Sequence, residues 1–97
     1  MKHIVLFKFN NKDCLKQVSN LLSETYKKLK EEYKVIRGYD FFINILPEKE
    51  ANMDLILFVD LVKAQDLSAY IDHPEHKEFL VKLRSLGLSD KAAIDIE

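Results

Sequence analysis

In the stretch "DLILFVDLV", residues 54–62, both alternating sets of positions are apolar: Leu55, Leu57, Val59 and Leu61 on one, Ile56 and Phe58 on the other. Successive side chains of a strand point to opposite faces, so this strand is expected to be covered on both sides. The same pattern opens the chain. "HIVLFKF", residues 3–9, carries His3, Val5 and Phe7 on the odd positions and Ile4 and Leu6 on the even ones, and Asn10-Asn11 bounds it. A further strand, "VIRGYDFFINI" at residues 35–45, precedes residues 54–62. A turn over residues 47–52, marked by Pro47 and its charged neighbours, would join the two as a hairpin.

Between these strands the period changes. From Asp13 to Tyr33 the apolar residues Leu15, Val18, Leu22, Tyr26, Leu29 and Tyr33 recur at steps of three and four, the signature of an amphipathic helix. "KAQDLSAYI" and "PEHKEFLVKLRSLG" have helical spacing too, broken at Pro74 and closed by Gly87 as a C-terminal cap, and residues 92–97 form a last strand. The order βαββαβ predicts an α+β, ferredoxin-like fold: a four-stranded antiparallel sheet with the helices on one face. The other face, apolar apart from Lys8, Asp40 and Asp60, then needs cover from another chain. A homodimer through sheet-to-sheet packing, a dimeric α/β barrel, meets that need.

Composition narrows the function classes. With 97 residues, 47% hydrophobic and 32% charged, and only two glycines and two prolines, the chain is expected to fold as a single domain over residues 1–97. Fifteen basic and sixteen acidic residues are well mixed. They form no basic stripe for nucleic acid or an anionic membrane. The βαββαβ order permits an RNA-binding platform, but the strand at residues 54–62 lacks the glycine, basic and paired aromatic positions such a platform uses. A lone cysteine, Cys14, cannot form an internal disulfide and reads as an inert thiol near a helix start. The apolar run from His3 to Phe7, cut by Lys8, is too short for a signal-peptide core or a membrane span, and a cytoplasmic location is expected.

Two of the chain's three histidines lie in "YIDHPEHKEF", residues 70–79. One reading is structural: Asp72 or His73 caps a helix whose first turn holds Pro74 and Glu75. The pattern also has a relative. "KHIVLFKF", the long helix, "GYDF", "DLILFVDL" and "LSAYIDHPEHKEF" together resemble the stress-responsive α/β-barrel (Dabb) domain, with Y-x-x-H-P-x-H the most specific element. The resemblance implies a dimeric α+β barrel. It also implies a candidate activity, since a plant polyketide cyclase of that family closes a ring by an intramolecular aldol step with a tyrosine and a histidine of this element and no cofactor. Those residues fall on Tyr70 and His76, and His73 and His3 match histidines near that pocket. The first helix here offers Leu21, Leu22 and Tyr26 where the cyclase has pocket aromatics, and Leu55 replaces a third-strand histidine, so the substrate does not carry over.

The chemistry has a physical basis in the residues. An imidazole in the first turn of a helix feels the positive end of the helix dipole, which disfavours its protonated form and suits His76 to act as a neutral base. Tyr70 can hydrogen-bond an oxygen on which enolate charge develops. His3, Phe7, Leu55 and Leu57 share the odd, helix-facing side and are expected to line the same space as substrate-binding residues, with His73 beside them. A His-x-x-His pair can also hold a metal, but Pro74 disturbs that helix and spacing offers no third ligand, so no metal site is expected. Two functions stay open. One is a cofactor-free cyclase or lyase acting on a small carbonyl compound. The other is a module that holds an apolar ligand or serves a stress response without chemistry.

Overall fold

The computed structural model describes residues 1–46 and 52–97, so most of the turn expected at residues 47–52 lies outside the described residues. Four strands and three helices follow in the expected order: β1 (Lys2–Phe9), α1 (Leu15–Lys27), β2 (Gly38–Ile43), β3 (Leu55–Asp60), α2 (Leu67–Ile71), α3 (Pro74–Ser85) and β4 (Leu88–Ile96). The sheet runs β2-β3-β1-β4 and every neighbouring pair is antiparallel. This is the ferredoxin-like arrangement. Among the described residues no helix is long and apolar enough to cross a membrane.

Strand parity places the core as the sequence predicts. Val5, Phe7, Leu55, Leu57 and Val59 are buried under the helices, meeting Val18, Leu22 and Tyr26 of α1 and Phe79 and Leu83 of α3. The opposite face is open. In the sheet register Ile4 stands between Phe58 and Ile94, and Leu6 between Ile56 and Ala92. Phe42 packs edge-on against Phe58 and is 56% exposed, and Ile94 is 60% exposed.

Three boundaries differ from the sequence expectation, each for a physical reason. The helix expected through Tyr33 leaves α-geometry at Lys28 for a π-turn ending at Glu32, with the Tyr33 amide reaching back to the Lys28 carbonyl. A wider turn rotates the next residue off the apolar stripe, and Tyr33 is 41% exposed instead of buried. Lys34 then closes the helix in the left-handed region at φ 55°. The second strand begins only at Gly38, because the Val35 amide is still bonded to the Leu29 carbonyl of the helix end and the chain first meets β3 where the Arg37 amide reaches the Asp60 carbonyl. The last strand starts at Leu88 instead of Ala92. Gly87, at φ 99°, turns the chain out of α3 straight into the sheet, and the polar residues Ser89, Asp90 and Lys91 fit there because β4 is an edge strand.

One buried carboxylate holds the end of the sheet. Asp54, fully buried, accepts from the Phe9 amide at 2.8 Å and from Lys12 Nζ at 2.7 Å. Its own amide donates to the Phe7 carbonyl and its carbonyl accepts from the Asn44 amide, so one residue ties β1, β2 and β3 to the entry of α1.

Candidate functional site

The break between α2 and α3 is built residue by residue. His73 has extended backbone, and its Nδ1 accepts the Glu75 amide at 3.1 Å, capping α3 while Pro74 fills the first helical position. Pro74 has no N–H, and the Glu75 amide is taken by the His73 ring. The Ile71 carbonyl, which a continuous helix would have bonded to the amide four residues on, is therefore free. His76 Nδ1 takes it at 3.0 Å. A carbonyl only accepts, so the Nδ1 proton is on the ring and Nε2 is the unprotonated nitrogen.

His76, Phe79 and Leu83 lie on one buried face of α3. Burial pushes the His76 pKa below the ordinary 6.5. The bond to Ile71 opposes this, and the Lys91 and His3 charges add to the lowering. The Tyr70 ring packs against His76 with centroids 4.6 Å apart, and His3 meets Tyr70 edge-on at 5.9 Å. The hydroxyls of Tyr26 and Tyr70 are hydrogen-bonded to each other. Burial raises the pKa of both above the ordinary tyrosine value, so both stay neutral. A pair of hydroxyls has two protons and spends one on the bond between them. The second is left to donate elsewhere. On the sheet side His3 Nδ1 donates to Asp95 Oδ1 at 2.5 Å, across a directly paired position of β1 and β4.

These groups enclose a cavity of about 100 Å³, whose lining includes His3, Phe7, Tyr26, Tyr70, His76 and Lys91. A larger hollow of about 440 Å³ sits on the open sheet face, bordered by Leu6, Phe42, Asn44, Asn52, Met53 and Ile56. Its described lining has no ionisable group, whereas the smaller space has histidine, tyrosine and lysine side chains in its wall. The expected site residues divide accordingly. Tyr70, His76, His3 and Phe7 meet at the cavity. Leu55 and Leu57 lie on the same sheet face but in the packed core, outside the small cavity's lining, and Leu55 borders the larger hollow instead. His73 sits outside it as the helix cap, its ring against Tyr33 at 4.6 Å. Among the described residues no group of three or more His, Cys, Asp or Glu is arranged to hold a metal ion. Cys14, its pKa raised first by burial, bonds the Asn11 carbonyl and is not among the residues lining the cavity.

Three contributors escape the sequence reading: Tyr26 as the hydroxyl partner of Tyr70, Asp95 as the partner of His3, and Lys91. Strand parity carries the signal for two of them. With β4 begun at Leu88, Lys91, Ala93 and Asp95 pair with Phe7, Val5 and His3 and share their face.

Fold and cavity together define a ferredoxin-like α+β domain with a tyrosine–histidine pocket between helices and sheet. The family model described as Stress responsive A/B Barrel Domain matches residues 1–97, and the chain belongs to that family, Dabb. Solved structures agree with the fold. A dimeric protein of unknown function and ferredoxin-like fold from Bacteroides fragilis superposes with a TM-score of 0.78 at 27% identity, covering 99% of this chain and 93% of its own. A dimeric ferredoxin-like protein of unknown function from Thermobifida fusca gives 0.74 at 28% identity, covering 96% and 85%. A Dabb family protein with a ferredoxin-like fold from Mesorhizobium loti gives 0.72 at 17% identity, covering 99% and 93%. No curated protein matches the chain in sequence.

Proposed function

We propose that this protein is a homodimer whose protomers pack open sheet face to open sheet face, and that each protomer's cavity removes a proton beside the carbonyl of a small molecule without a cofactor. Support for the dimer comes from the apolar face around Ile4, Leu6, Phe58 and Ile94 and from the similar proteins described as dimeric. The tautomer of His76 carries the chemical reading: with Nδ1 bonded to Ile71, the unprotonated Nε2 belongs to a ring held neutral at the cavity wall. In the reaction Nε2 takes a proton from the carbon next to the carbonyl. The C–H electron pair becomes the carbon–carbon π bond and the carbonyl π pair moves onto oxygen. The free proton of the Tyr26–Tyr70 pair stabilises that oxygen. Such an enolate leads to a ring closure or a bond cleavage, the cyclase or lyase sense of the family resemblance.

Deuterium uptake from D2O into the carbon acid 2-butanone, followed by NMR, tests the chemistry. Catalysed uptake that His76→Ala loses supports it. Uptake equal to buffer, or unchanged in His76→Ala, refutes it and favours a pocket that only holds a ligand.

A further inference from the structure

We propose that Lys91 makes this cavity selective for anions, so that its substrate class is a short oxo acid with the carbonyl inside and the carboxylate at the Lys91 mouth; this rests on the proton-abstraction reading above. Lys91 projects from β4 opposite Phe7 and lines the cavity with Tyr70 and His76. Its ammonium makes no ion pair among the described residues, and the neighbouring Asp90 carboxylate accepts from the Lys91 backbone amide instead. The remaining polar lining carries no compensating negative charge. Tyr26 and Tyr70 are neutral hydroxyls and His76 a neutral imidazole, while the Asp95 carboxylate lies outside the lining, bonded to His3. The charge on Lys91 is felt at His76, whose protonation it disfavours.

Size sets the rest of the ligand. A partly open space of about 100 Å³ is smaller than the roughly 150 Å³ cavity that holds benzene. Its inner part fits a carbonyl and its immediate neighbours. Lys91 is exposed, so the charged end of the ligand stays at the solvent boundary, where an ammonium–carboxylate contact is screened and selects by a modest factor.

The test compares 2-oxobutanoate with its neutral isostere 2-oxobutanamide by NMR titration of the full chain at low salt. We expect 2-oxobutanoate to bind about three- to tenfold more tightly. Lys91→Met should erase the preference, Lys91→Arg should keep it, and added salt should weaken it. Equal affinities in the wild type, a preference that survives Lys91→Met, or no saturable binding of 2-oxobutanoate would overturn the assignment. Deuterium uptake at C3 of the two compounds, measured on the same wild-type samples, separates this idea from the reading beneath it. Preference without uptake sinks proton abstraction and leaves the anion site standing. Uptake with equal affinities sinks the anion site alone.

Discussion

The rings of Tyr70 and His76 lie with centroids 4.6 Å apart and planes at 53°, although the two residues belong to different helices. A straight helix would place residues six apart on largely different sides, since six steps of 100° leave them 120° apart. Pro74 and the extended His73 restart the helix, and the carbonyl they release at Ile71 fixes the orientation of His76. The cap at His73 and the fixed ring of His76 are thus two consequences of one break.

Titration of His76 should be visible in the stability curve. Its folded pKa is depressed below 6.5, so the unfolded chain binds the proton more readily. The stability contribution is therefore complete above pH 6.5 and falls as pH drops through the folded pKa. Urea midpoints measured from pH 8 to pH 5 should decline on the acid side, and His76→Gln should flatten part of that decline. A wild-type and a variant curve that run parallel would contradict the depressed pKa. Any catalysed proton exchange should likewise hold its rate below pH 6.5 before it falls.

Removing one hydroxyl of the buried tyrosine pair strands the other. Tyr70→Phe or Tyr26→Phe alone should cost about 1–3 kcal/mol of stability, the penalty for a buried polar group left without a partner. The double variant, which leaves neither hydroxyl, should cost much less than the sum. Denaturant melts of the four proteins close a double-mutant cycle, and additivity within about 0.5 kcal/mol would show that the bond contributes nothing.

The element order was legible because period and parity are properties of buried faces. Leu55, Leu57 and Val59 alternate as a strand must, and Val18, Leu22 and Tyr26 recur as a helix must. Where one side of an element is solvated, that signal fades. Ser89, Asp90 and Lys91 read as a loop, yet they form the start of an edge strand, and with it the place of Lys91 beside Phe7 went unread. The Tyr70–His76 pair was found through the Y-x-x-H-P-x-H element. Its hydroxyl partner Tyr26 was not, because a tyrosine on a helix stripe looks like any core residue until its oxygen finds a donor or acceptor 44 residues away in the chain.

The open sheet face predicts an assembly and how to break it. Light scattering should give a particle of twice the 11.4 kDa chain mass at micromolar concentration. Phe58 stands beside Ile4 near the centre of that face, and Phe58→Glu would bury a carboxylate with no partner at the cost of several kcal/mol. The variant should be monomeric or aggregate. A dimer of unchanged stability would mean that the protomers meet through some other surface.

Asp54 offers a test of the fold that leaves the cavity alone. Its Oδ2 holds both the Phe9 amide and the Lys12 ammonium, while Oδ1 is buried without a hydrogen-bond partner. Asp54→Ala removes the acceptor and leaves the Phe9 amide unpaired in the interior, which should cost about 1–3 kcal/mol. Asp54→Asn can keep a carbonyl oxygen on the Phe9 amide and loses only the charge that draws in Lys12, a residue with partial access to water. Its loss should be the smaller of the two. Lys12→Met in the Asp54→Asn background should then change little, because the ion pair is already gone. Urea denaturation gives all three comparisons, and an Asp54→Ala protein as stable as the wild type would show that β1 and α1 are not tied together at this point.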